Sequence, residues 1–331
     1  SYDLFMNNTI KFSVDTTNSG KRLDIFLAEN IKQFTRSYLK KIISNNQVKL
    51  NNLVANSPSI KVKHSDLILI NILEKNVQKI IPKKIQLNII YEDKSILVIN
   101  KPKGLVVHPG AGNYDNTLVN ALLFKYKNNL SDINGVLRPG IVHRIDKNTS
   151  GLLVVAKNNL AHSNLGYQFS EHIIKRKYLC LSWGVVRPLS GKIVTLITRD
   201  KKNRQLMTVS DVSGKKAITN YKTIKVFNIK DIPKISLIEC ELETGRTHQI
   251  RVHLKYKGTS LLGDKQYGKK NLKFKKINNE FFVKLNKLSG QALHAKTLGF
   301  VHPKTKKMMT FNSELPDEFK KILTLLENLS G

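Results

Sequence analysis

Residues His143-Arg144-Ile145-Asp146-Lys147-Asn148-Thr149-Ser150-Gly151 crowd hydrogen-bonding side chains into one short stretch, and the chain then turns apolar through Leu152-Leu153-Val154-Val155-Ala156. An apolar run of that length behind a flexible glycine reads as a buried strand, and the polar stretch before it as the loop that feeds it. Any fold for this chain must therefore bury 152–156 inside a sheet and hold the polar loop at the mouth of that strand.

Asp146 is the lone acid of the loop, set between Arg144 and Lys147. A carboxylate fixed at a strand mouth among cations suits a reaction centre. The alternative is a loop residue satisfied by Arg144 or by the backbone amides of Thr149 and Ser150.

At 331 residues the chain can build a full core and is expected to form two domains. No basic segment followed by an apolar run opens it, and no apolar stretch is long enough to span a bilayer, so a soluble, cytoplasmic protein without membrane association is expected. Cys180 and Cys240 sit in separate apolar runs with no further ligand at metal spacing, which predicts buried free thiols, no disulfide and no metal site. With 56 Lys and Arg against 24 Asp and Glu the net charge is +32, an excess that attracts a polyanion such as nucleic acid. A general drift toward Lys, Asn and Ile could supply much of the lysine. The arginines carry more information, because Arg offers a planar, multi-donor fork that Lys does not. Arg144 falls inside the Asp146 loop, and Arg246 and Arg251 inside the polar stretch from Thr244 to Leu254.

Alternation of Ile10, Phe12 and Val14 predicts an opening strand. Leu23, Phe26 and Leu27 then mark one helix and Tyr38, Leu39, Ile42 and Ile43 a second, with Thr35 or Ser37 as its cap. Strands are expected at 48–50, 60–62 and 67–72, and a linker at 75–88. Further on, the larger domain is expected to open at 89–94, and the pattern predicts strands at 96–99 and 105–107, a helix at 117–126, and a helix from 158 to about 174 with Leu160, Leu165 and Phe169 toward the core. A basic hairpin tip is expected at 199–207, a helix capped by Thr247, a basic surface insertion at 271–288, a last strand pair at 292–303 and a closing helix at 316–326. Gly110-Ala111-Gly112 lacks the third glycine and the distant acid of a dinucleotide fingerprint. Gly263 to Lys270 matches a phosphate loop only until Lys270, which has no hydroxyl for magnesium.

Arg22-Leu23-Asp24, Thr35-Arg36-Ser37 and Val48-Lys49-Leu50-Asn51 resemble the small S-four-like RNA-binding domain, with Asn46, Asn52 and Ser65 where that domain usually has glycine. Asn tolerates a left-handed backbone better than Ser does. The loop around Asp146 resembles the His-Arg-Leu-Asp-x-x-Thr-Ser-Gly signature of the pseudouridine synthases that modify ribosomal RNA, with Ile145 for Leu. Further likeness to that family lies in Asn100-Lys101-Pro102 with Gly104, His108 to Asn113, Arg176-Lys177-Tyr178, Thr244 to Leu254, Gly263-Asp264 with Tyr267-Gly268, and Leu293-His294-Ala295. Within the family these motifs are most similar to the large-subunit type.

The resemblance implies an α+β protein: an S-four-like RNA-binding domain at 19–74, a linker at 75–88, and a pseudouridine synthase catalytic domain at 89–326 on a mixed, largely antiparallel sheet. It implies isomerisation of specific uridines in large-subunit ribosomal RNA, or in its assembly particle, with no cofactor, no metal and no protein partner, by a monomer. Asp146 takes the place of the catalytic carboxylate, Arg251 of its partner, and Tyr178 of the platform for a base extruded from its stack. Arg144 would fill the gap left by the uridine, and Ile250 and Leu293 would wall the pocket, although ordinary core packing explains both equally well. Arg22, Arg36, Lys40, Arg199, Lys202, Arg204 and Arg246 are candidate RNA contacts. Two rival readings remain: a catalytically silent RNA-binding or assembly factor, and a retaining glycosidase, which needs a second carboxylate for which Glu171 and Glu243 are the nearest candidates.

Overall fold

The computed structural model describes residues 3–5 (backbone only), 9–32, 34–71, 80–110, 112–135, 137–269 and 278–330. They pack into two compact units, one of 1–84 with 108–141 and one of 85–107 with 142–331.

The first unit begins with β1 (Asp3–Phe5) and β2 (Thr9–Ser13), then α1 (Leu23–Asn30), α2 (Arg36–Ser44), β3 (Val48–Leu50), β4 (Leu53–Val54) and β5 (Leu67–Asn71). Its strands pair antiparallel in the order β1-β2-β5-β3-β4. Leu23, Phe26 and Leu27 share one helical face because they are spaced by three and four. With Leu39, Ile42 and Ile43 of α2 they close over Ile10, Phe12, Ile68 and Ile70 of the sheet. Thr35 is the α2 cap, its hydroxyl accepting the Tyr38 N–H at 3.2 Å. Asn46, Asn52 and Ser65 all adopt left-handed backbone, with φ of 61°, 67° and 69°. Residues 60–62 do not form the expected strand. Their hydrogen bonds go to the loop before α1, Val62 N–H to Lys21 O and Gly20 N–H to Val62 O, leaving one bridge between Lys61 and Arg22. The unit also holds α3 (Leu118–Tyr126), started by a capping box between Thr117 and Asn120. The expected linker lies partly outside the described residues; 80–88 contains neither helix nor strand.

The second unit carries β6 (Ile89–Glu92), β7 (Ile96–Lys101), β8 (Ser150–Ala156), α4 (Asn159–Ser170), β9 (Lys175–Trp183), β10 (Ser190–Arg199), β11 (Met207–Ser210), β12 (Lys215–Phe227), β13 (Ile235–Leu242), α5 (Gln249–Tyr256), α6 (Asn279–Asn286), β14 (Leu293–Val301), β15 (Met308–Asn312) and α7 (Asp317–Ser330). Its strands form one sheet in the order β11-β10-β12-β13-β9-β14-β8-β7-β6, with β15 on β14. Among the described residues only the β8–β14 pair is parallel, so the sheet is mixed and largely antiparallel, and the protein is α+β. Every residue of β8 is buried, as its unbroken apolar run requires. Ile96, Val98, Leu152 and Val154 pack with Ala161 and Leu165 of α4. α4 ends at Ser170, and Leu160 is 73% exposed rather than in the core: Asn158 caps the helix, which turns Ala161, Leu165 and Gln168 inward and Leu160 outward.

Residues 105–107 are not a strand, because Gly104 turns the chain at φ 86° and its N–H bonds to Lys147 O. Residues 271–277 lie outside the described residues. From 278 to 288 the chain is no surface insertion: Phe281, Leu285 and Leu288 of this segment are buried with Trp183, Phe227 and Phe319. Cys180 and Cys240 are buried free thiols on the neighbouring strands β9 and β13. Among the described residues no helix is long and apolar enough to cross a membrane, and no cluster of His, Cys, Asp or Glu could hold a metal ion.

Candidate active site

The loop before β8, the strand β9, the segment 242–246 and the helix α5 converge on a cleft of about 520 Å³ in the second unit. Asp146, Tyr178, Arg251, Arg144, Ile250, Leu293 and Arg246 all line it, so residues from distant parts of the sequence meet at one place. Asp146 is the one carboxylate among the lining residues. Glu171 and Glu243 are not among them, and Glu243 pairs with Lys192 instead.

The Asp146 loop is held by its backbone. Lys147 O accepts the Gly104 N–H at 2.8 Å and the Lys101 ammonium at 3.0 Å, and Gln291 donates to Thr149 Oγ1 at 3.1 Å. Lys101 is almost wholly buried, and its pKa falls to about 7, mainly through burial, with the Asp146 charge opposing and Lys103 adding to the fall. The Thr149 N–H bonds to the backbone oxygen of Asp146 and not to its carboxylate. The side chain is therefore directed elsewhere: Oδ2 accepts from Arg251 Nη1 at 3.0 Å.

Arg251 is 4% exposed and fully engaged. Its Nε and Nη2 donate to the two oxygens of Asp264 at 2.8 and 2.9 Å, Nη2 also reaches Gln266 Oε1 at 2.7 Å, and the guanidinium lies 4.9 Å from the Tyr267 ring centre. Burial is the largest single influence on it and weakens the cation, but Asp264 and then Asp146 outweigh it, so its pKa stands above the ordinary arginine value. Asp264 is itself fixed by the N–H groups of Gln266 and Tyr267, both at 3.0 Å. The sequence places Arg251 at the flank of a helix capped by Thr247; in the structure it is buried and the helix begins at Gln249. The cause is the Gln249 side chain, whose Oε1 accepts from the Thr244 hydroxyl and the Arg246 N–H and holds 244–248 as a turn.

His248 was not singled out by the sequence for this site. It occupies the N-cap with φ 58° and ψ 21°, a left-handed conformation unusual for a non-glycine residue, and its Nε2 stands 4.0 Å from Asp146 Oδ1. Its Nδ1 meets the Tyr267 hydroxyl at 2.6 Å, and that hydroxyl also accepts the Met207 N–H at 2.8 Å. A phenol so placed gives its own hydrogen to Nδ1, which leaves the hydrogen of the neutral ring on Nε2, facing Asp146. Burial lowers the His248 pKa and keeps the ring neutral, although Asp146 works against it. The only signals in the sequence were the motif positions of Asp264 and Tyr267, which carry no role without the fold.

Tyr178 is buried, and burial pushes its phenol up to about 12; Arg176 lowers it and Asp146 raises it further. It is thus a neutral ring and hydroxyl at neutral pH. Ile250 and Leu293, each 4% exposed, supply apolar wall, and Arg144 stands exposed at the rim. Arg246 donates to Lys216 O at 2.9 Å. The remaining candidate cations lie elsewhere. Arg199 braces the β10–β11 hairpin through Arg204 O, with Lys202 and Arg204 exposed on the same tip. In the first unit Arg22, Arg36 and Lys40 surround the fully buried Asp24 at 3.0, 3.0 and 3.8 Å, so these cations have a structural partner that the sequence did not reveal.

Residues 95–256 match the family model described as RNA pseudouridylate synthase, and residues 21–68 match that of the S4 domain. The chain is 45% identical over 309 residues, covering 93% of its length and 94% of the relative's, to a protein of Zymomonas mobilis named ribosomal large subunit pseudouridine synthase D. It is 40% identical over 323 residues, 97% of this chain and 98% of the other, to a Bacillus subtilis protein named uncharacterized RNA pseudouridine synthase. Among solved structures, human RNA pseudouridylate synthase domain containing 4 superposes with a TM-score of 0.54 at 24% identity, over 72% of this chain and 93% of that one, and shares the fold.

Proposed function

This chain belongs to the RNA pseudouridine synthase family, and from that premise we propose that it isomerises uridines of large-subunit ribosomal RNA, with Asp146 as the catalytic carboxylate acting on a nucleotide flipped into the cleft. The observation that carries the reading is the pairing of the cleft's single carboxylate with a buried, doubly anchored Arg251, in a cleft that also offers an aromatic platform and two apolar walls.

In this reading the bond between the sugar and the uracil nitrogen breaks with help from Asp146, as nucleophile at the sugar or as base on a ribose proton. The uracil turns in place, its fifth carbon bonds to the sugar, and the proton lost from that carbon is balanced by one gained at the ring nitrogen. Reactant and product have the same atoms and oxidation level, so the reaction calls for no cofactor. Arg251 holds and aims Asp146 through a charge-assisted hydrogen bond. Tyr178, a neutral phenol, stacks on the uracil, while Ile250 and Leu293 keep water from the detached base. Arg144 at the rim fills the space the uridine vacates.

Residues 19–74 act as the RNA-binding domain, 75–88 as the linker and 89–326 as the catalytic domain of a cytoplasmic monomer. Arg22, Arg36, Lys40, Arg199, Lys202, Arg204 and Arg246 supply phosphate contacts. The test is to incubate the protein with large-subunit ribosomal RNA and map uridines whose carbodiimide adducts resist alkali. The expected result is new resistant positions with the native protein and none with Asp146→Asn, which still retains the RNA. Undiminished signal with Asp146→Asn overturns the assignment.

A further inference from the structure

Arg176 stands two residues before Tyr178 on β9, so both side chains leave the same face of the strand, about 7 Å apart along it, and both line the cleft with Asp146. The guanidinium lies over the Phe169 ring, 5.3 Å from its centre, and Phe169 stacks in turn on His143 at 4.6 Å. His143 Nε2 accepts the Val154 N–H, so the base of this stack is a neutral ring. On another side the guanidinium abuts Gly245, where a Cβ would lie 2.5 Å from Nη1. Glycine there leaves the fork its place.

What this cation lacks is an anion. Among the described residues no carboxylate pairs with it, and its buried Nε has no acceptor. Arg251, its neighbour in the cleft, is paired with two carboxylates. A buried charge-bearing donor without a partner is costly, and such orphans in native structures call for a ligand. The missing partner must be anionic, because a neutral carbonyl would satisfy the donor but not the charge. On an RNA substrate the only anions are phosphodiesters.

We propose that Arg176 is a phosphate-binding residue of the active site, gripping the phosphodiester next to the uridine that stacks on Tyr178; this rests on the function proposed above. The distance between the two side chains along β9 matches the reach from base to backbone within one nucleotide. The planar fork can lie flat on Phe169 and still present two N–H groups edge-on, which an ammonium cannot do.

The test uses the full chain and a stem-loop of large-subunit ribosomal RNA carrying tritium at the fifth carbon of its uridines, with a neutral methylphosphonate placed at one linkage at a time. Tritium release gives kcat and KM, and fluorescence anisotropy of the same oligonucleotides gives Kd without chemistry. Native protein is expected to lose about tenfold in kcat/KM and in affinity at one linkage beside the isomerised uridine, which also tells the 5′ from the 3′ side. Arg176→Gln is expected to lose a similar factor on unmodified RNA, chiefly in KM, and nothing more at that linkage. Arg176→Lys keeps part of the discrimination, and Gly245→Ala, which displaces the fork without removing its charge, imitates Arg176→Gln should that variant fold poorly. Identical methylphosphonate penalties in native and variant proteins at every linkage overturn the proposal. If no tritium is released from any uridine, the isomerase reading fails separately, and the Kd scan still shows whether one linkage depends on Arg176.

Discussion

Arg251 Nη1 donates to Asp146 Oδ2 at 3.0 Å across 105 residues of sequence, and the other edge of the same guanidinium is clamped by Asp264. One fork thus joins a carboxylate on the cleft side to a fully buried one. Asp146 keeps 18% of its side chain open to the cleft, while Asp264 is closed off. The arrangement divides labour: Asp264 fixes the cation, and the cation fixes Asp146.

Replacing Asp264 by Asn therefore acts at two levels. It leaves a buried guanidinium with only Asp146 as counter-charge, and breaking one side of a buried pair costs about 3 to 5 kcal/mol. Urea titration should show the second unit destabilised by that order. Isomerisation by the surviving folded protein should fall at least tenfold, because Asp146 loses its fixed partner. An unchanged unfolding midpoint would contradict the clamp.

Tyr267→Phe removes the hydroxyl that both accepts the Met207 N–H and sets the His248 tautomer. The orphaned N–H costs about 1 to 3 kcal/mol. With the Nδ1 bond gone, His248 no longer holds its Nε2 hydrogen toward Asp146, and kcat should drop several-fold with KM little changed. Steady-state kinetics on a ribosomal RNA stem-loop reads this split; a pure KM effect would assign Tyr267 to RNA binding instead.

Acid should weaken the fold well before its carboxylates are neutralised. His253 sits between the Thr195 and Thr219 hydroxyls and His294 between those of Ser150 and Ser313, both wholly buried. Burial lowers each to about 4, with Lys296 and Lys103 adding to the effect at His294. The unfolded chain, with histidines near 6.5, binds more protons between these values. The stability these histidines contribute is complete above pH 6.5 and is lost as pH falls toward 4, at up to about 1.4 kcal/mol per pH unit for each. Urea midpoints at pH 6.5, 5.5 and 4.5 measure the slope, and His253→Gln should flatten it in part, the remainder coming from His294 and from His143, His162 and His248, which burial also lowers.

Much of this was legible in the sequence because it is local. The helix faces at Leu23 and Leu39, the β8 run and the Asp146 loop are patterns of a few residues, and each appears where periodicity and turn chemistry put it. The long-range pairings were not. Asp24 looks like any helix-first-turn acid until α2 brings Arg36 and Lys40 to it, and His248 looks like a helix residue until Gln249 folds its side chain back over the preceding turn. Leu160 misled because periodicity gives a face but not which way the face turns.

Ser65, at φ 69°, is less comfortable in a left-handed backbone than Asn46 and Asn52. Its N–H is committed to Val14 O at 2.9 Å, which holds the turn in that conformation despite the strain on Cβ. Ser65→Gly relieves roughly 1 kcal/mol of strain and gives back part of it to the freer unfolded chain. The net expectation is a gain of about 0.5 kcal/mol in the first unit, read by urea titration, with Ser65→Ala giving none.

Gly151 is the glycine on which the position of the Asp146 loop rests. It has φ 122° and stands opposite Ala295 in the one parallel pairing of the sheet. A Cβ there would overlap the Ala295 carbonyl oxygen and come within 2.6 Å of the Ala295 nitrogen and Cβ, none of which can swing aside as a long side chain would. Gly151→Ala must therefore part β8 from β14 or shift the loop that ends at Ser150, and the combined strain and overpacking amount to about 3 kcal/mol. Because Asp146 reaches Arg251 only while that loop keeps its place, activity should fall by two orders of magnitude or more even where the protein stays folded. Far-ultraviolet circular dichroism with tritium release on the same sample separates the two effects. A folded Gly151→Ala protein with native kcat would mean that the β8–β14 contact does not set the position of Asp146.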